Sequence, residues 1–206
     1  MAASRDIAKA SARAEAQRVR ILDAARRCFS ERGFHGATIA AIADTAGMSQ
    51  GLIYRYFASK AAIIHAITDA QRELRADTLA RITRCSELVD AVLDKVCAGG
   101  TGGVDGERDG FDAVLFLEIT AEACRDPDIA VVVGAQERDV RDDFRTLVQR
   151  SAEAAGHPLN EAALQRRTLL FRCLVDGLVM CTTRDPQMDR AAMRAALLEG
   201  LAELGL

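Results

Sequence analysis

The stretch over residues 38–60 constrains this chain most, because it predicts two short helices joined by a tight turn and followed by a third helix. Apolar residues recur at intervals of three and four, as on one face of a helix: Ile39, Ile42, Ala43 and Ala46. Gly47 follows at once, and glycine readily adopts the left-handed conformation that ends many helices. A hydroxyl residue that can cap a helix precedes each of the three: Thr38, Ser49 and Ser59.

The second of these helices, expected over residues 49–57, has an inward and an outward side. Its inward positions are apolar or aromatic: Leu52, Ile53 and Tyr56. Its outward positions carry side chains that hydrogen-bond or stack: Gln50, Tyr54 and Arg55. A small residue where the helices cross, a glycine turn and a polar outer face are typical of a helix-turn-helix, whose second helix enters the major groove of DNA.

The same stretch resembles the DNA-binding domain of the tetracycline-repressor (TetR/AcrR) family. The resemblance rests on these residues: Gly36, Thr38, Ile42, Ala43, Ala46, Gly47, Ser49, Gly51, Tyr54, Tyr56, Phe57, Ser59 and Lys60. Two positions depart from the family pattern, because Arg55-Tyr56 stands where many members have a His or a second aromatic residue, and Ala61 replaces a common acidic residue. The base preference of other members therefore does not transfer to this chain.

The resemblance and the side-chain chemistry together predict a DNA-binding surface. Its expected members are Thr38, Ser49, Gln50, Gly51, Tyr54, Arg55, Tyr56 and Lys60. Thr38, Tyr56 and Lys60 are expected to bind phosphates, whereas Gln50, Tyr54 and Arg55 are the better candidates for contacts to bases.

Two other interpretations of this stretch are weaker. Residues 47–51 match the G-x-S-x-G pattern of a serine-hydrolase nucleophile, but that motif follows a β-strand, and here an amphipathic helix precedes it. An ordinary helical hairpin inside a bundle would need neither the polar outer face nor this turn. We therefore predict no catalytic residues and no enzyme activity; the chief alternative is an enzyme with a helical fold.

Charge is distributed unevenly along the chain. The net charge is −3, but residues 1–60 hold ten Lys and Arg against five Asp and Glu, whereas residues 61–206 hold 17 against 25. A basic end on an acidic body suits a protein that presents one face to phosphates. The six cysteines are scattered without a C-x-x-C pair, so we expect reduced core residues and no metal or cofactor.

Helical periodicity and the scarcity of aromatic residues predict an all-α chain. We expect a flexible basic tail over 1–14, which could instead be an arm that contacts DNA, a helix-turn-helix domain over 15–60, and a helical domain for effector binding and dimerisation over 61–206. Later helices are expected near 60–84, 86–98, 111–125, 127–155, 161–183 and 186–204. The N-terminus lacks an apolar signal segment, so a cytoplasmic protein is expected.

The helix near 111–125 is apolar nearly all round, which is typical of a helix inside a protein. Glu118 and Glu122 lie one turn apart on it, and buried carboxylates need partners. The partner is expected to be Arg125, Arg172 or a cationic effector. The predicted effector cavity lies among the helices near 60–84, 111–125 and 127–155, lined by Phe111, Leu115, Glu118 and Glu122.

The helix near 161–183 has apolar residues on more than one side, so one side is free to face a second copy of the chain. The run Asp176-Gly177-Leu178 also resembles the dimerisation helix of the family. With the last helix it predicts a four-helix interface made by Leu170, Leu174, Gly177, Leu178, Leu197 and Leu201. The alternative is that both helices are interior to a monomer.

The resemblance implies a transcriptional regulator, most often a repressor, that binds double-stranded operator DNA as a homodimer. It also implies a small effector whose binding releases the DNA. A DNA-binding protein without any effector remains an alternative.

Overall fold

The structure, a computed structural model, describes residues 2–97 and 112–206, and within these ranges every regular element is an α-helix. The helices are α1 (Ala2–Gly36), α2 (Ile39–Ala46), α3 (Gln50–Tyr56), α4 (Lys60–Arg81), α5 (Cys85–Cys97), α6 (Ala113–Ala123), α7 (Pro127–Ala154), α8 (Glu161–Arg184) and α9 (Arg190–Glu203). The predicted all-α class is confirmed. Phe111 lies outside the described residues.

A flexible tail was expected over residues 1–14, whereas helix α1 begins at Ala2 and includes residues 2–14. The first sixteen residues are rich in alanine, which has the highest intrinsic helix propensity and favours a helix over residues 9–16 although these are exposed. The helix is interrupted at Gly33, whose backbone has φ 68 and ψ 174.

The described chain packs as two compact units. Unit 1 comprises residues 1–69 and 117–132, and unit 2 comprises residues 70–116 and 133–206. This division differs from the expected boundary at residue 60, because α4, α6 and α7 each contribute residues to both units. Sequence periodicity marks the apolar face of a long helix but does not say which neighbour covers each part of it.

The core of unit 1 is built largely from isoleucine and phenylalanine. Its largest fully buried side chains are Ile21, Phe29, Ile42, Ile53, Ile63, Ile64, Ile67 and Ile129. The rings of Phe29 and Phe34 stack with centroids 5.8 Å apart. Ile53 of α3 has no exposed surface and anchors the short helix, which is too short to be stable alone.

The core of unit 2 joins α5, α7, α8 and α9. Its fully buried members include Cys85, Leu93, Leu147, Val148 and Phe171, and the rings of Phe144 and Phe171 lie 5.4 Å apart. Cys28 and Cys85 are buried as expected, but Cys124, Cys173 and Cys181 are exposed, so the expectation of core positions is wrong for these three.

Helix α9 begins four residues later than the sequence indicated. Asp185 and Pro186 were expected to start it, but Asp185 ends α8 and its carboxylate accepts the N–H of Gln187 in a turn. The cap of α9 is Asp189, whose carboxylate accepts the N–H groups of Ala191 and Ala192. Two aspartates compete for one capping role, and the second is followed by the better helix-forming run.

No helix in the described part of the chain is both long and apolar enough to cross a membrane.

Candidate functional site

The turn between α2 and α3 is fixed by local hydrogen bonds. The Thr38 hydroxyl accepts the N–H of Ala41 at 3.1 Å, and the Ser49 hydroxyl accepts the N–H of Leu52 at 3.2 Å. Gly47 adopts the left-handed conformation, with φ 62, and its N–H bonds to carbonyls of α2. The caps and the glycine therefore act as the sequence predicted.

The outer side of this turn is exposed. Six of the residues expected to bind DNA are exposed, and we call them the recognition surface: Thr38, Ser49, Gln50, Gly51, Tyr54 and Arg55. Tyr54 is a large aromatic residue with 55% of its surface exposed. A capping hydroxyl uses an oxygen lone pair and keeps its own O–H free to donate, so Thr38 and Ser49 can cap a helix and bind a phosphate together.

Tyr56 is only half-buried and lines a groove of about 440 Å³ within unit 1. Arg18, Phe57 and His65 also line this groove, and the Arg18 guanidinium lies 4.9 Å from the centre of the Phe57 ring. The structure thus places Tyr56 at the edge of the recognition surface and not on its exposed face.

Lys60 has an internal partner. Its Nζ donates to the carbonyl oxygen of Phe34 at 2.5 Å and lies 4.0 Å from the centre of the Phe34 ring. Burial lowers the pKa of Lys60, although Glu122 and Asp126 oppose this effect. The ammonium group expected to bind phosphate instead holds the chain just after the α1 interruption, which only the tertiary fold could bring within its reach.

The two α6 carboxylates also have internal partners in unit 1. Glu118 accepts the backbone N–H of Phe34 through Oε2 at 3.2 Å. Glu122 is buried, with Arg125 Nη2 at 3.1 Å and His35 Nδ1 at 3.9 Å. Of the partners considered from the sequence, Arg125 is the observed one for Glu122.

These contacts correct the expected effector cavity. Neither Glu118 nor Glu122 lines the cavity found in unit 2, and Leu115 is fully buried in packing without lining it. Phe116 is the α6 residue that does line it. When a helix is apolar on all sides, its sequence does not show which side faces a cavity. The prediction therefore chose Leu115 and Glu118, which lie close to Phe116 along α6 but do not line the cavity.

The cavity in unit 2 has a volume of about 170 Å³ and lies among α4, α5, α7 and α8. Its apolar walls include Leu74, Leu88, Val92, Val140, Phe144 and Val175. That α5 lines the cavity was not predicted from the sequence. The four residues concerned follow helical spacing along one face: Leu88, Ala91, Val92 and Lys95.

The polar residues of the cavity are mostly charged. Arg75 Nε donates to Asp143 at 2.9 Å, while Arg75 Nη2 is buried and finds no hydrogen-bond partner within residues 2–97 and 112–206. Arg172 contacts Asp176 at 2.7 Å and Glu137 at 3.0 Å. Although burial lowers the pKa of the Arg172 guanidinium, these two carboxylates raise it above its ordinary value.

The residues expected at a dimer interface divide into three groups by their exposure. Leu170 is 48% exposed and Gly177 is exposed, with no atom within 4 Å of the position that a Cβ would take. Leu174 and Leu197 are half-buried against the core of unit 2. Leu178 and Leu201 are buried in that core, so they are not available to a partner.

No cluster of His, Cys, Asp or Glu among the described residues has the arrangement of a metal site.

Two family models match the chain. Residues 21–67 match the model described as bacterial regulatory proteins of the tetR family, which includes the whole of α2 and α3. Residues 103–206 match the model described as the C-terminal part of a BetI-type transcriptional repressor.

Relatives match over most of the chain. The regulator UidR of Escherichia coli K12 is 30% identical over 190 residues, which cover 91% of this chain and 90% of UidR. The transcriptional repressor Rv1474c of Mycobacterium tuberculosis is 28% identical, covering 86% of this chain and 89% of its own.

Solved structures share the fold at lower identity. Salmonella enterica GusR superposes with a TM-score of 0.69 at 23% identity, covering 88% of this chain and 93% of its own. A Saccharomonospora viridis regulator in complex with choline has a TM-score of 0.68 at 21% identity, with 90% and 95% coverage. Bacillus subtilis FadR in complex with stearoyl-CoA has a TM-score of 0.66 at 17% identity, with 88% and 95% coverage. The helix-turn-helix geometry and these matches together establish that the chain belongs to the TetR family of bacterial transcriptional regulators.

Proposed function

We propose that this chain is a repressor that binds operator DNA as a homodimer and is released from it by a small-molecule effector. The observation that supports this most strongly is the recognition surface, which is formed by the exposed polar residues of the short helix α3 and of the caps of α2 and α3. The family establishes a transcriptional regulator; the roles of individual residues, the dimer and the effector are parts of the proposal.

The residues of the recognition surface would have different roles. Thr38 and Ser49 would donate their hydroxyl protons to phosphates, which position the protein without reading sequence. Gln50, Tyr54 and Arg55 would contact base edges in the major groove. Lys60 is omitted from the phosphate contacts because its ammonium group is bonded to Phe34.

The experiment begins with duplexes selected from a random pool by the full-length protein. Ser49→Gly should weaken all of these duplexes about equally while costing only a few tenths of a kcal/mol in capping, whereas Gln50→Ala should change the preferred bases. Arg138 is an exposed arginine of α7 in unit 2, and Arg138→Ala is the control. It should change neither the affinity for the duplexes nor the preferred bases. A Gln50 variant that selects the same sequences as the wild type would contradict its role in reading bases.

A dimer is proposed because one small module touches too little DNA for tight specific binding, whereas two modules can read successive major grooves. The supporting surface is the exposed side of α8, with Leu169, Leu170, Cys173, Gly177 and Cys181 at helical spacing. A glycine there allows close approach of a partner helix, because it has no side chain.

Gly177→Leu tests this interface cleanly. A Cβ at this position has no other side chain of the described residues within 4 Å, so helix content should be preserved, while a closely approaching partner would be blocked by the leucine. Sedimentation should then show monomers and weaker operator binding. Gly134→Leu, another helical glycine with open space around it, should stay dimeric. An unchanged dimer for Gly177→Leu would remove Gly177 from the interface, and a wild-type monomer at micromolar concentration would refute the dimer.

The proposed effector site is the cavity in unit 2, which combines apolar walls with a few charged groups as ligand sites commonly do. Choline and stearoyl-CoA complexes of proteins with this fold support a ligand-responsive role. The effector would favour a spacing of the two recognition helices that no longer fits successive grooves.

A further inference from the structure

We infer that the effector is a small organic carboxylate, with an apolar body of about the size of a benzene ring and its carboxylate bound by Arg75. This inference rests on the proposed function, because it takes the cavity in unit 2 to be the effector site.

The volume of the cavity limits the size of the ligand. An apolar cavity of about 150 Å³ takes up benzene. The cavity here has about 170 Å³ and is walled by leucine, valine and phenylalanine side chains. It therefore has room for one aromatic ring or a short aliphatic chain with a small polar group.

The hydrogen-bonding state of Arg75 indicates the polar group. Arg75 lines the cavity, only 18% of its side chain is exposed, and its Nη2 has no hydrogen-bond partner among the residues that the structure describes. Asp143 accepts from Nε, so this hydrogen bond does not use Nη2. Buried polar groups are normally satisfied, and the planar guanidinium matches the oxyanions of carboxylates and phosphates; beside these apolar walls, a carboxylate is the smaller and less highly charged of the two.

The other charges of the cavity favour an anion over a cation. Glu137 and Asp176, the two acidic lining residues, both accept hydrogen bonds from Arg172. Lys95 also lines the cavity, and within the described ranges no carboxylate is paired with it. A cationic ligand would have to displace Arg172 from its carboxylates, whereas an anion meets Arg75 and Lys95.

The first test compares three ligands of nearly equal shape by calorimetry on the full-length protein: benzoate, benzamide and benzylamine. Benzoate should bind at least about tenfold more tightly than benzamide, since a hydrogen bond between two charged groups is roughly twice as strong as a neutral one. Benzylamine should not bind detectably. Hexanoate is the aliphatic probe. Failure of both benzoate and hexanoate to bind at millimolar concentration would overturn the inference, as would tighter binding of benzylamine.

The second test uses two variants that break the same ion pair. Arg75→Met should remove the preference for benzoate over benzamide. Asp143→Asn should keep or strengthen it, because Arg75 then loses its competing carboxylate. Thermal unfolding without ligand shows whether the variants are folded and similarly stable. A preference for benzoate that survives in Arg75→Met would overturn the inference.

Operator release separates this inference from the proposed function. If benzoate binds through Arg75 but leaves the operator complex intact, the carboxylate-binding site is supported, and the proposal that ligand binding in this cavity releases the operator is refuted. If benzylamine or benzamide releases the operator and benzoate does not, ligand-responsive repression stands and the assignment of a carboxylate is refuted.

Discussion

Replacing Gly33 by alanine should destabilise the protein although it adds only one methyl group. Gly33 has φ 68 and ψ 174, a region of backbone space that is almost restricted to glycine. Holding an alanine there costs about 1–3 kcal/mol. The smaller conformational entropy of the unfolded alanine chain returns about 0.4–1 kcal/mol.

The new Cβ would also lie 3.2 Å from Glu118 Oε2. This oxygen accepts the N–H of Phe34, and a hydrogen bond to a charged group contributes about 1.5–3 kcal/mol. If the carboxylate moves away, the total loss rises accordingly, so we expect the free energy of unfolding to fall by about 1–5 kcal/mol for Gly33→Ala.

Urea unfolding followed by circular dichroism at one protein concentration measures this change. Gly51→Ala is the matched control, because a Cβ in α3 meets nothing within 4 Å, and it should stabilise the protein by about 0.5–1 kcal/mol. In a double-mutant cycle with Glu118→Ala, the crowding disappears and Gly33→Ala should cost less. A Gly33→Ala protein as stable as the wild type would refute the strain, and strict additivity with Glu118→Ala would refute the crowding.

Three further predictions concern single side chains. Lys60→Met should leave the dependence of operator affinity on salt unchanged, because the ammonium group is bonded within unit 1; a slope smaller by about one unit would show that it neutralises a phosphate. Burial raises the pKa of Cys85 from its ordinary value of 9.0 to about 11, so its unfolded thiol ionises first as the pH rises. Wild-type stability should therefore fall relative to Cys85→Ala by about 1.4 kcal/mol per pH unit between these values, measured as unfolding against pH, and equal profiles would contradict the shift. Asp189→Ala should lower the free energy of unfolding by about 1 kcal/mol and Asp185→Ala by less, because only Asp189 caps α9; the reverse order in urea unfolding would contradict this.

The sequence alone determined the helix-turn-helix because its signals act over a few residues. A hydroxyl at Thr38 or Ser49 caps the helix that follows it, and Gly47 ends the helix that precedes it. These interactions need no distant partner, so spacing and residue type are sufficient to predict α2, α3 and their exposed side.

Only the tertiary structure decided which partners the charged side chains have. Three charged side chains have the chemistry of ligand-binding groups but bind residues of unit 1. Lys60 and Glu118 form hydrogen bonds with the backbone of Phe34, and Glu122 forms an ion pair with Arg125. Their partners lie on other elements, and nothing in a linear pattern states which polar groups meet.

A linear pattern likewise does not show which residues line the cavity or which side of α8 is exposed. Periodicity identified α8 as apolar on more than one side, but packing decided that Leu178 is buried and that Leu170 is exposed. The cavity depends on side chains from helices distant in sequence, and among the described residues Asp143 accepts from Arg75 Nε while Nη2 has no partner. Local capping is encoded within a turn of helix, whereas an unfilled space and an unsatisfied donor are properties of the packed whole.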